Sequence, residues 1–329
     1  NRDPNVVVFA WHGLCKGWRR WGYAALVGGG MVGAVGVGMS YNLTPGIRST
    51  HLKLLAKRTP LHYRHAAANE GTGWGDTASR IFLRAVHCAV LEPSVFASTY
   101  EICPHKRGAL ETPSGKPTKY GLWQQSRPGK LALSVGEATS IRAIVVSLRA
   151  HPDAARILWG PGWSEVERTW VDQPSGLTCK LKADRLIMAT LPGSETRMIE
   201  MSQGHPPLHC EIWDLKTLGD ASEHEVRWML KKLRVPLQLA HYRAGMQARG
   251  AVVTRCGVVV VEDRAPHDVG VYVLDTGDLD DAEEQRQDLL ARVAECERND
   301  SWPGACPEMT TLPLDPEDLG DIDTDDEEI

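Results

Sequence analysis

The chain has 329 residues, enough for one large domain or two small ones. Its composition, 42% apolar and 24% charged, is that of an ordinary soluble globular protein, and no internal repeat is visible. The net charge of -5 argues against a nucleic-acid binder until its distribution is read. Nine acids and no base lie in 315–329, so residues 1–314 are mildly basic and compatible with a polyanion partner.

The first 38 residues include the glycine-rich apolar stretch "WGYAALVGGGMVGAVGVGMS", which the glycines and its interruptions make a poor membrane span. Bases upstream leave a secretory signal open. An extended or mis-assigned N-terminus, with Met39 as the natural start, is the preferred expectation.

In chain order, "TPGIRSTHLKLLAKRTPLHYRHAAA" (44–68) reads as helix, with Ser49 or Thr50 as cap and an interruption at Pro60. The segment 75–93 reads as a second helix, from a cap near Asp76 to a stop near Pro93. A third, 136–158, is broken at Pro152. Then the texture changes. "WSEVERTWVD", "LTCKLKADRLIMAT" and "HCEIWDLKT" look like successive strands, the first two joined by a turn at 173–176. "PGSETRMIEMSQGHPPLH", between the second and third, looks like an inserted loop or extended hairpin. A helix follows from 223, kinked or ended by Pro236. "GVVVVEDRAPHDVGVYVLD" supplies two more strands, and "DAEEQRQDLLARVAECERN" a last helix. The pattern predicts a mixed α/β domain with a central sheet flanked by helices. The tail, 315–329, is expected to be disordered and solvated, a DNA-mimicking or partner-touching role being the alternative.

Eight cysteines (15, 88, 103, 179, 210, 256, 296 and 306) are scattered without a C-x-x-C pair, which suggests reduced thiols in the cytoplasm. They are too dispersed to favour an iron–sulfur cluster. "GHPPLHC" offers His205, His209 and Cys210 as half a zinc site, but no second ligand pair has suitable spacing.

The chemistry concentrates on the strands. Asp214 and Lys216, in "EIWDLKT", flank one leucine and face the same way on a strand. Glu165 lies on the first predicted strand, with Glu167 facing alike, and Asp184 near the end of the second. Several carboxylates cannot share a small volume fully ionised without a cation, and oxygen ligands select Mg²⁺ or Mn²⁺. Taken alone, Asp214 and Lys216 would read as a surface ion pair on an edge strand, and Asp184 as a partner of Arg185 or Lys182.

This order of acid, Asp and D-x-K resembles the PD-(D/E)xK nuclease superfamily, and within it the exodeoxyribonuclease VIII-like (RecE-type) phage and prophage exonucleases. The resemblance rests on "STHLKLLAKRTPLHYRH", "AVHCAVLEP", "SEVERTWVDQPSGLTCKLKADRL", "IWDLKTLGDAS" and "QLAHYRAGM", and more loosely on "VVVVEDRAPHDVGVYVLD" and "SWPGACPEMTTLPLD". It implies an exonuclease domain over 39–314. It implies catalytic roles for Lys216, Asp214, Asp184, Glu165 and His87. It implies Mg²⁺, or Mn²⁺ in its place, on Asp184, Asp214, His87 and the Leu215 carbonyl. Gln238 and Tyr242, four apart on one helix face, match a Q-x-x-x-Y motif that positions DNA or the active site. The implied activity is hydrolysis of linear double-stranded DNA, 5′ to 3′. The implied setting is recombination, as a ring-shaped homo-oligomer beside a single-strand annealing protein, with no membrane. A nuclease of the same fold acting on single strands or internal sites is one alternative. A catalytically silent DNA-binding subunit is the other. Lysines and arginines in "HLKLLAKR" and "LKKLR" could contact phosphate or be solvated helix faces, and the tryptophans are expected in the core.

Overall fold

The computed structural model describes residues 41, 44–69, 77–188, 209–306 and 308–311, all within one compact unit, Tyr41–Ile329. The expectations for the N-terminal extension, the 190–209 insertion and the acidic tail lie outside the described residues, except that His209, the last of the insertion, opens a strand.

The first predicted helix is two. Helices α1 (Ser49–Leu55) and α2 (Pro60–Ala68) part where Pro60 begins the second. The expected cap is corrected: Arg48 holds the N-cap position, and no side chain closes it. Helix α3 (Ala78–Leu91) is capped by the Thr77 hydroxyl, which accepts from the Arg80 N–H. Pro93 does more than stop α3, because it starts α4 (Pro93–Thr99). A short parallel pair, β1 (Tyr100–Ile102) and β2 (Leu131–Leu133), encloses α5 (Lys119–Gln125). Strands this short carry no usable alternation, and the sequence pattern did not predict them. Helices α6 (Val135–Ala150) and α7 (Pro152–Trp159) divide at Pro152, and Ser134 with Glu137 forms a capping box on α6.

The main sheet follows: β3 (Gly162–Val171), β4 (Thr178–Met188) and β5 (His209–Leu218), then β6 (Val252–Glu262) and β7 (Val269–Val273). Strand order is β3-β4-β5-β6-β7. Every pairing is antiparallel except β5 with β6, which is parallel. Helices α8 (Glu223–Lys232) and α9 (Val235–Gln247) make the crossover this parallel pair requires. They part at Arg234, which sits at φ +49°, just before Pro236 fills the first turn of α9. Helix α10 (Thr276–Asn299) closes the described fold, starting earlier than predicted because Asp275 caps it.

Helices cover both faces of the sheet. Val258 and Val260 of β6 join the core under α1, α2, α8, α9 and α10, whereas Val259 and Val261 join the core under α3, α6 and α7. That two-sided burial explains the unbroken valine run. Helix α9 lies close on the sheet at Gly245, where a Cβ would stand 2.5 Å from Leu181 Cδ2. Trp123, Trp170 and Trp213 are buried as expected, but Trp163 and Trp228 are about half exposed, at 48% and 52%. The seven described cysteines are free thiols. Among the described residues no helix is long and apolar enough to cross a membrane.

Candidate active site

Strand register brings the acids into one row. Ser164 pairs with Arg185 and Val166 with Ala183, so Glu165 stands opposite Asp184. Arg185 pairs with Trp213 and the ladder ends there; its next position would set Asp184 opposite Asp214. Regular structure fails at this row. Glu165 is held at φ +54°, a conformation that costs an L-residue roughly 1–2 kcal/mol. Along β4 the residues sharing a core with α9 are Cys179, Leu181 and Ala183, then Leu186, so the alternation changes phase around Asp184. Where β4 and β5 separate, the Asp184 carboxylate replaces a backbone partner: its Oδ2 accepts the Leu215 N–H at 2.8 Å.

Asp214 and Lys216 share the face of Ile212, toward α9. Lys216 Nζ lies 2.5 Å from Asp214 Oδ2, an ion pair, though that oxygen has no donor in line for a hydrogen bond. The other oxygen, Oδ1, accepts from Gln238 Nε2 at 2.7 Å, and the same amide nitrogen lies 3.1 Å from the Tyr242 hydroxyl. The helical spacing of four thus brings Gln238 and Tyr242 to the site together. From the opposite face, α3 supplies His87, whose Nε2 is 2.8 Å from the Leu215 carbonyl oxygen and 3.4 Å from Asp184 Oδ2. A carbonyl only accepts, so Nε2 carries the proton in this arrangement. Ligand atoms of His87, Glu165 and Asp184 all lie within 4.8 Å of one another.

Lys182 and Arg185, the alternative partners of Asp184, are engaged elsewhere. Lys182 Nζ pairs with Glu165 at 2.8 Å and Glu167 at 3.6 Å. Arg185 turns away to the Ile157 carbonyl at 2.8 Å and the Gly160 carbonyl. Glu167, the competitor to Glu165, is therefore a second contact of Lys182.

Electrostatics follow from this layout. Burial, then the Asp214 charge, pushes the Asp184 carboxyl up to about 7. Burial opposes a charge on His87, but the Asp184 carboxylate and the Leu215 carbonyl outweigh it and raise its pKa. Burial likewise opposes the Lys216 ammonium, and the charges of Asp214 and Asp184 more than restore it, so its pKa is raised. Burial and both aspartates hold Tyr242 well above its usual range, as a neutral phenol.

One residue at the site was left open by the sequence. Lys53, on α1, places Nζ 2.5 Å from Gln238 Oε1, and burial followed by the Lys216 charge brings its pKa down to about 8. The available signal was its position: Ser49, Leu52 and Lys53 form one i, i+3, i+4 stripe, and the first two are buried. A lysine on an inward stripe is not a solvated face.

Comparison with known proteins gives a structural likeness. No family model and no curated protein matches the sequence. Among solved structures, a protein from Eubacterium rectale described as "Putative exonuclease" matches over 89% of this chain and 99% of its own, with TM-score 0.52 and 12% identity. At that identity the likeness shows a shared fold, a mixed sheet flanked by helices.

Proposed function

We propose that this chain is a divalent-cation-dependent nuclease that hydrolyses phosphodiester bonds in DNA. The observation that supports this most is the row Glu165–Asp184–Asp214 across three neighbouring strands, with Lys216 ion-paired to its last member.

The residues fit a hard cation. Asp214 Oδ2 is buried without an in-line donor, Asp184 faces a second carboxylate, and the set is oxygen-rich with one imidazole. Asp184 would hold it, with Glu165 beside it and Asp214 across the row; His87 and the Leu215 carbonyl, now bonded to each other through the Nε2 proton, would join only after parting and losing that proton. A bound Mg²⁺ or Mn²⁺ supplies charge neutralisation between the acids and acidifies a water.

The chain's own groups do the rest. The Lys216 ammonium aims positive charge at the place where a phosphate gains negative charge, and orients the attacking water. Gln238 holds Asp214 in its rotamer and hands the same constraint to Lys53 and Tyr242. Lys53 brings a second ammonium to the phosphate. His87, fixed on the Leu215 carbonyl, stands 3.4 Å from Asp184 Oδ2 and offers it a positive partner when doubly protonated.

The finer reading is an exonuclease that degrades linear duplex DNA from the 5′ end in the cytoplasm. A ring assembly and an annealing partner rest on the RecE-type resemblance alone. The test uses purified protein with Mg²⁺ on end-labelled linear and covalently closed circular duplexes, with chelator as control. Mg²⁺-dependent shortening of the linear DNA alone is expected. Nicking of circles would move the assignment to an endonuclease, and binding without any cleavage would overturn the nuclease reading. Sedimentation of the full chain reports the ring.

A further inference from the structure

Charge is segregated on this molecule far beyond the acidic site. From Ile47 to Asn69, covering α1 and α2, there is no acid, against Arg48, Lys53, Lys57, Arg58 and Arg64. From Val226 to Val261 there is again none. These two segments meet: Lys57 Nζ donates to the Lys232 carbonyl at 3.1 Å, and Arg234 Nη2 donates to the Ala56 carbonyl at 3.1 Å. The junction leaves Lys57, Arg58, Lys231 and Lys232 exposed side by side. Beside them stands Trp228, 52% exposed, with Lys232 Nζ 4.3 Å from its ring centroid. The only acids on α8, Glu223 and Glu225, lie in its first turn, at the end away from Lys57.

The half-exposed Trp228 indole offers a flat π face among these cations, where Lys232 is already stacked, and a ridge of like charges repels itself. Both features suit a ligand with regularly spaced negative charges and flat apolar rings. A nucleic-acid strand has both. The ridge is also continuous with the candidate site, because Lys57 lies in the turn that ends α1, four residues after Lys53, and Lys53 reaches Gln238 beside Asp214.

We propose that the α1–α8 ridge is a track for a single DNA strand entering or leaving the carboxylate site, with phosphates on Lys57 and Lys232 and a base stacked on Trp228. This rests on the nuclease reading for its direction, but its chemistry is separable from cleavage. Base stacking on an aromatic is worth about tenfold in affinity, and each neutralised phosphate adds about 0.7 to the salt slope on single strands.

The experiment measures binding of the full chain, in chelator, to fluorescent oligothymidylate and to an abasic deoxyribose-phosphate oligomer of equal length. Trp228→Ala is expected to weaken oligothymidylate about tenfold and to leave the abasic oligomer unaffected. Lys57→Gln with Lys232→Gln is expected to weaken both probes and to lower the salt slope by about 1.4. Thermal melts that coincide with the parent's confirm that both variants are folded. Binding of oligothymidylate by Trp228→Ala as tight as the parent's, or an unchanged salt slope in the double variant, overturns the track. Polyglutamate competing equally against both probes, in parent and Trp228→Ala alike, overturns it in favour of an acidic protein partner. The parent's cleavage of linear duplex in Mg²⁺ is scored separately. Without cleavage the nuclease reading fails while a stacking-dependent track stands, and with cleavage but no Trp228 effect the track alone fails.

Discussion

Two buried acid clusters on this one sheet are built to opposite specifications. At the end of β3, Asp172 is saturated: Oδ1 accepts from Arg286 Nη1 at 2.8 Å, and Oδ2 from the Ser175 hydroxyl at 2.7 Å and the Ser175 N–H at 3.2 Å. Arg286 in turn is forked onto both oxygens of Glu283, at 2.7 and 2.8 Å. At the other cluster, Asp184 accepts one backbone N–H, has His87 at 3.4 Å and lies across the row from Asp214, whose Oδ2 has only the Lys216 ammonium beside it, out of line for a hydrogen bond. The first arrangement holds its charge below the ordinary range despite burial, and the second drives it above. Residue type does not distinguish a structural carboxylate from one proposed to hold a cation here. Filled acceptor capacity does.

The sharpest way to break that contrast is to neutralise each cluster and measure stability without divalent ions. Arg286→Met leaves the buried Asp172 and the partly exposed Glu283 without their cation and is expected to cost about 3–5 kcal/mol in urea unfolding. Asp184→Asn removes a repelling charge and is expected to leave stability unchanged or improved, the trade expected of a group kept for function. A loss at Asp184→Asn as large as at Arg286→Met would mean that both clusters are structural.

Activity sharpens the same contrast from the other side. Lys216→Ala removes the ammonium beside Asp214 and is expected to lower DNA cleavage about 10²–10³-fold with DNA binding largely kept. Retained turnover in a folded Lys216→Ala protein would remove the chemistry from this row. Arg286→Met, assayed below its melting temperature, is expected to cleave normally.

How much of this contrast could be read from the chain follows from how local each signal is. The D-x-K spacing fixes Asp214 and Lys216 on one strand face because a strand alternates, and they are found 2.5 Å apart. The four-residue spacing of Gln238 and Tyr242 fixes a helix face in the same way. The sheet flanked by helices follows from the valine-rich runs and their proline breaks. What sequence spacing does not carry is register across strands. The opposition of Glu165 and Asp184 depends on the length of the 173–176 turn, and the αL geometry of Glu165 violates the propensity of its own residue type. Lys53 was ambiguous for a related reason. Its neighbour Gln238 is 185 positions away, so only tertiary contact separates an inward lysine from a solvated one. Trp228 went the other way: its type suggested core, and it stands half exposed under the Lys232 ammonium.

Metal addition tests the unfilled cluster directly. A ligand that binds only the folded state stabilises it by about 2.7 kcal/mol at a hundredfold excess over its dissociation constant. Mg²⁺ or Mn²⁺ is therefore expected to raise the melting temperature of the parent and of Lys216→Ala. It should leave Asp184→Asn and Asp214→Asn where they were. Equal shifts in all four proteins would place the ion elsewhere.

The smallest effect concerns acid. Asp172 has a folded pKa below its ordinary 3.8, because the hydrogen bonds of Ser175 and Arg286 and the Arg286 charge together overcome burial. A depressed folded pKa contributes stability that is complete above the ordinary value and is lost as pH falls through the folded one. The parent should therefore shed this contribution only below about pH 4, as the unfolded carboxyl takes up its proton first. Asp172→Asn has no such proton to bind, so its urea midpoint should fall less steeply than the parent's over that interval, from a lower starting point. The two curves running parallel through that interval would show that Arg286 is held mainly by Glu283, and that the saturated cluster is saturated from only one side.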